Sequence, residues 1–141
     1  MKRKWWIMCA LLFLFVGQGV YADDSVLGVW KTIDDDGKTA KSYVEIFEKD
    51  GAVYGKIVKL LQKPADELCD KCKGDKKDKP VLGMEIITGL SRHGSVYSGG
   101  QILDPENGKT YKCKIWREGD DLKVRGYVAF FFRTQTWQQV K

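Results

Sequence analysis

Residues 95–129 read SVYSGGQILDPENGKTYKCKIWREGDDLKVRGYVA, and this stretch decides the fold. Residues 109–116 alternate, with Tyr111, Cys113 and Ile115 on one face and Lys112 and Lys114 on the other. Residues 122–129 set Leu122, Val124, Gly126 and Val128 against Lys123, Arg125 and Tyr127. A period of two is the mark of a strand with one wet face. The breaks are turn chemistry. In Asp104-Pro105-Glu106-Asn107-Gly108, Pro105 pre-sets φ and Asn107 and Gly108 tolerate positive φ. Glu118-Gly119-Asp120 makes the next turn. Three strands joined by two short turns form an antiparallel meander.

The same texture extends to both sides. Strands are predicted at 26–33, 42–48, 52–61, 84–90 and 131–140. Asp50-Gly51 between two β-rich runs is a hairpin signal. Gly55 marks a bend or bulge, and Gly99-Gly100 a bulge or a close backbone approach. Only residues 62–80 break the rhythm. They hold Cys69, Cys72, Pro64, Gly74 and a dense mix of Lys and Asp, with one helical turn expected at 64–68. Eight short antiparallel strands and no long helix predict an all-β fold, a barrel or a sandwich, of which a small up-and-down β-barrel is preferred. Closure removes the exposed edges that such strands would otherwise present.

Ahead of the strands, Lys2, Arg3 and Lys4 precede an apolar run at 5–16, and Val20-Tyr21-Ala22 fits a peptidase site. This is the pattern of a secretory signal peptide, and the run is short of the roughly 20 residues a span needs. Residues 1–22 are expected to be cleaved, leaving 23–141 as a single domain, exported to the periplasm or beyond, with no stable membrane insertion. Loss of the three cations lowers the net charge from +5 to +2. So small an excess argues against nucleic acid as a partner. Three cysteines remain. In an oxidising compartment Cys69 and Cys72 are expected to form a local disulfide. A zinc site lacks ligands, since His93 is the sole histidine.

Gly28-Val29-Trp30 in the first strand with an arginine in the last, Arg133, resembles the lipocalin-type barrel. That resemblance implies that Trp30 plugs one end and Arg133 packs on it through cation–π contact. A wider set of motifs occurs in order: Gly55-Lys56-Ile57-Val58, the C-x-x-C at 69–72, residues 99–105, Asn107-Gly108-Lys109 with Tyr111, Val124-Arg125-Gly126-Tyr127, and Arg133-Thr134-Gln135-Thr136-Trp137. Together they resemble the bacterial family DUF2147, a domain of unknown function. The resemblance implies an exported, barrel-like domain and no particular activity. The chain departs from the family pattern at Ala129-Phe130-Phe131-Phe132, where a longer, glycine-containing connection is expected.

No nucleophile elbow, metal cluster or phosphate-cradling loop stands out, so no enzyme and no cofactor are expected. An eight-stranded barrel has room for packed side chains or for one small ligand. The leading expectation is a small, partly apolar or amphipathic ligand held inside the barrel, with 62–80 as a lid. Asp104, Tyr111, Arg125 and Tyr127 are its candidate binding residues. Strand alternation points Arg125 and Tyr127 outward unless the interior is a ligand cavity, in which case Arg125 would offer a fixed cation to a carboxylate or phosphate. The alternative is an envelope protein-interaction module with a packed core.

Overall fold

The computed structural model describes residues 25–141, so the expected signal peptide lies outside the described residues. Eight strands follow: β1 (Gly28–Ile33), β2 (Ala40–Lys49), β3 (Ala52–Leu60), β4 (Glu85–His93), β5 (Val96–Asp104), β6 (Lys109–Glu118), β7 (Asp121–Val128) and β8 (Phe131–Gln139). Each pairs antiparallel with the next, and β8 returns to β1, giving the expected closed up-and-down barrel. The Asp50-Gly51 hairpin has both residues at positive φ, 53° and 78°, as its sequence signal demands. The ladder slips at Gly55 and between Tyr97 and Gly100. At Gly100 a Cβ would lie 2.0 Å from the Thr88 carbonyl oxygen, so β4 and β5 approach there as only glycine allows.

Register fixes which side chains face inward. Ile87, Ile102 and Tyr111 are paired across β4–β6, as are Gly100, Cys113 and Gly126 across β5–β7. Ile115 and Val124 continue this face, and Leu122 opposite Trp137 carries it to β8. Of these, Ile87, Cys113, Ile115, Leu122, Val124 and Trp137 join Trp30, Val44, Ile46 and Ile57 from β1–β3 in one buried cluster, with Ile102 packed against it. Each large apolar side chain so buried contributes about 1.5–3 kcal/mol. Trp30 and Trp137 are the largest fully buried residues. Among the described residues no buried side-chain nitrogen or oxygen lacks a partner. Thr32 and Ser42, for example, share a 3.0 Å hydrogen bond inside the wall.

The barrel has two unlike ends. At the closed end Trp30 Nε1 donates to the Val26 carbonyl at 2.9 Å, folding the segment before β1 under the barrel. The cation on Trp30 is Arg117, whose guanidinium lies 5.4 Å from the ring centroid. Arg117 also donates to the Ser25 and Gly119 carbonyls. Arg133, the expected partner, sits at the start of β8, at the opposite end, and pairs with Asp35 at 2.8 Å. The reason is direction: β1 leaves the closed end where β8 arrives, so the first residues of β8 belong to the open end.

Candidate functional site

The open end carries the β1–β2 loop, the 61–84 connection, the β5–β6 turn and the β7–β8 turn. Lys41 ties two of these together, reaching Glu106 at 3.1 Å and Asp34 at 3.6 Å. Its hydrogen bond to Glu106 holds the ammonium pKa above its ordinary value. Asp35 accepts from Gln135 at 2.9 Å and from Arg133, and those contacts hold its carboxyl below the usual range. Asp36 is lowered to about 2 by the Thr39 hydroxyl and the Thr39 and Lys38 amides. Asp104 moves the other way: burial raises its carboxyl pKa. Its Oδ1 accepts the Glu106 amide at 2.9 Å, so Asp104 shapes the hairpin turn.

The long connection is built as a compact appendage. Cys69 and Cys72 form the expected disulfide. Leu68 bridges Pro80, and the Val81 amide donates to the Glu67 carbonyl at 2.9 Å. A hydrogen-bonded turn stands at Pro64 to Glu67 in place of a helical turn, and a single 3-10 turn forms at Gly74–Lys76. The appendage does not lie as a simple lid. It leans on the β5–β6 turn, where Cys69 Sγ is 3.6 Å from the Pro105 oxygen. A Cβ on Gly108 would lie 1.8 Å from the Lys71 oxygen. Lys76 Nζ donates to the Glu85 carbonyl at 2.8 Å, fastening it to β4 as well.

A cleft of about 720 Å³ opens between this appendage and the barrel wall. Its wall residues Thr88, Gln101, Lys112 and Tyr127 are paired in one row, on the face opposite Ile87, Ile102 and Tyr111. The cleft therefore runs along the outside of the wall and over its rim, where Lys109 and Tyr111 of the inward row also line it. Ile86 and Leu103 share that outer face and line the cleft, yet both are buried. The appendage covers them, with Cys72, Lys73 and Lys76 on its side of the cleft. Lys109 and Lys112 stand across from them, and no carboxylate lines the space. An apolar floor with four ammonium groups around it suits an anion with an apolar body.

The candidate residues scatter around this geometry. Tyr127 and Tyr111 line the cleft. The Tyr111 hydroxyl accepts from Asn107 Nδ2 at 3.0 Å, anchoring the β5–β6 turn. Arg125 points outward, as alternation predicts, but away from the cleft. Its guanidinium lies 4.2 Å from the Phe132 centroid and 4.9 Å from that of Trp116, and Nε donates to Thr134 Oγ1. Sequence reasoning missed Lys73, Lys76, Lys109 and Lys112, because nothing in their spacing reveals that an outside appendage gathers them. Among the described residues no group of three or more His, Cys, Asp or Glu side chains is placed to hold a metal ion. Nor is any described helix long and apolar enough to cross a membrane.

A closed eight-stranded antiparallel barrel, plugged at one end by the tryptophan of a G-x-W and a stacked arginine, is lipocalin-like. The chain belongs to the DUF2147 family, described as an uncharacterized protein conserved in bacteria, which matches residues 28–139. Among solved structures it is similar to protein HP1028 of Helicobacter pylori, which is described as belonging to the lipocalin family. The TM-score is 0.74 at 18% identity, over 84% of each chain. At that identity the likeness speaks for the fold alone. No curated protein matches the chain in sequence.

Proposed function

We propose that the protein is an exported binding protein for a small amphipathic anion, such as a fatty-acid-like carboxylate. The ligand is held in the outer cleft between the disulfide appendage and strands β4–β7. The observation that carries this reading is the cleft itself: Tyr127, Val128 and Ala129 offer apolar surface beside the covered Ile86 and Leu103, and Lys73, Lys76, Lys109 and Lys112 line it without a carboxylate. It is favoured over the barrel interior, where Trp30, Trp137 and the aliphatic cluster are packed together and buried polar atoms are satisfied. Export rests on the sequence of residues 1–22, and intact mass of the secreted chain tests it.

A fluorescent dansyl fatty acid titrated against the mature protein tests binding. Wild type is expected to bind, and Lys109→Glu with Lys112→Glu to weaken binding tenfold or more, with the melting temperature unchanged. The corresponding dansyl fatty alcohol is expected to bind more weakly to wild type. Equal binding by the double variant, or by acid and alcohol alike, would overturn the assignment. The second reading, an interaction module, is favoured by the same packed interior. It predicts no fatty-acid binding and a stoichiometric protein partner in envelope extracts.

A further inference from the structure

We infer that the β7–β8 hairpin tip and the wall behind it form a docking surface for an anionic phospholipid bilayer. The tip is a two-residue turn, Ala129 and Phe130, closed by pairing of Val128 with Phe131. Phe130 is 98% exposed, Phe131 78% and Phe132 56%, with Val128 at 54% beside them. Single exposed apolar residues need no explanation, but three consecutive phenylalanines at the apex of a hairpin form a contiguous patch. Only Phe132 gains cover, from the Tyr127 ring at 5.9 Å and the Arg125 guanidinium. The core gains nothing from Phe130, so its exposure is left for something outside the molecule.

Charge names the occupant. Residues 107–117 and 122–141, which span nearly all of β6, β7 and β8, contain no Asp or Glu. Behind the tip, Lys112 lies opposite Tyr127 and Lys114 opposite Arg125 on the outer face, and Lys123 follows on the same face of β7. Lys112, Lys114, Lys123 and Arg125 form no ion pair among the described residues. The acidic side chains stand off this stretch: Glu118, Asp120 and Asp121 lie at the far, closed end of β6 and β7, and Asp34, Asp35 and Asp36 are in the β1–β2 loop, where Asp35 is engaged by Arg133. An apolar apex backed by an acid-free cationic wall is the layout of an interfacial anchor. The rings reach the acyl boundary while the cations meet phosphates. A protein groove would take the rings without needing an extended wall cleared of carboxylates. The inference does not depend on the cleft, whose test uses a soluble amphiphile and different side chains.

Vesicle co-sedimentation tests it, with phosphatidylcholine vesicles and with phosphatidylcholine vesicles containing phosphatidylglycerol. The mature protein is expected to sediment with the anionic vesicles, less with the neutral ones, and less as salt is raised. Phe130→Ser with Phe131→Ser is expected to lower the partition coefficient by about a hundredfold, the value of two phenylalanine side chains leaving the acyl boundary. Both rings are exposed, so the melting temperature should hold. The independent pair Lys114→Gln and Lys123→Gln, neither of which lines the cleft, should reduce the salt sensitivity while retaining some binding. No sedimentation with either vesicle would overturn the inference. So would equal binding to both vesicles, equal binding by the phenylalanine variant, or a dimer that the same variant dissolves.

Discussion

Gly108 shows how one residue joins two parts of the molecule. It sits at φ 72° in the β5–β6 turn, and its missing Cβ leaves room for the Lys71 oxygen of the appendage. Gly119 provides the comparison: φ is 60°, with open space around it. Both alanine variants incur backbone strain of about 1–3 kcal/mol, but only Gly108→Ala also pushes the appendage away. Urea denaturation is expected to show a clearly larger loss for Gly108→Ala, and equal losses would refute the close approach. The turn was legible in the sequence, whereas the contact with Lys71 was not, because it joins residues far apart in the chain. Arg117 was nearer to being legible. The alternation of Tyr111, Cys113 and Ile115 extended one step puts a cation on the inward face at the strand's end, where Trp30 waits. Cys113 is buried on that face, and burial raises its thiol pKa to about 12. The neutral thiol is therefore the folded form. Its contribution to stability is complete below the ordinary cysteine pKa of about 8.5 and is lost as pH rises toward the folded value. Ellman's reagent at mildly alkaline pH should leave Cys113 unmodified in the native protein and titrate it in denaturant. Rapid native labelling would contradict its burial.

Among the elements, the strands followed their local pattern and the 61–84 connection did not. Strand ends came within a few residues of expectation because alternation and turn residues are local signals. The connection has almost no apolar periodicity, so its position is decided by contacts with other elements. Ile86 and Leu103 are where a signal did exist: two apolar residues on a face that alternation assigns to solvent imply a cover. The disulfide closes only a short loop, and chain entropy assigns it about 2 kcal/mol. That is enough to matter for the appendage and too little to decide the barrel. Cys69→Ser with Cys72→Ser should therefore keep a cooperative barrel transition. Hydrogen exchange should quicken at the Cys69, Asp78 and Val81 amides, whose acceptors lie within the appendage. Collapse of the whole barrel in that variant would show the appendage to be part of the cooperative core.

At the scale of the whole molecule, net charge concealed more than it told. The charge of +2 expected after cleavage argued for no anionic surface, yet residues 107–117 and 122–141 hold no acid, and on β6 and β7 only Glu118 and Asp121, at the closed end, are acidic. The clear stretches can be read in the sequence, but their union into one wall appears only when β6, β7 and β8 pair side by side. Closure is also the barrel's weakest seam. β7 and β8 pair over eight residues, whereas β8 and β1 pair only at Gln139 with Trp30 and Gln138 with Lys31. One further hydrogen bond, from the Val140 amide to the Val29 carbonyl at 3.0 Å, supports the junction. Local opening follows the number of bonds broken and the apolar surface exposed, so the molecule should open first between β8 and β1. Native-state hydrogen exchange is expected to give the Val140 amide a lower opening free energy than the amides paired between β6 and β7. Val140→Pro removes that bond and should cost about 1 kcal/mol of global stability, with faster exchange in β1. A seam as protected as the β6–β7 ladder, in wild type and variant alike, would mean that the plug of Trp30, Val26 and Arg117 holds the barrel shut without help from the strand edge.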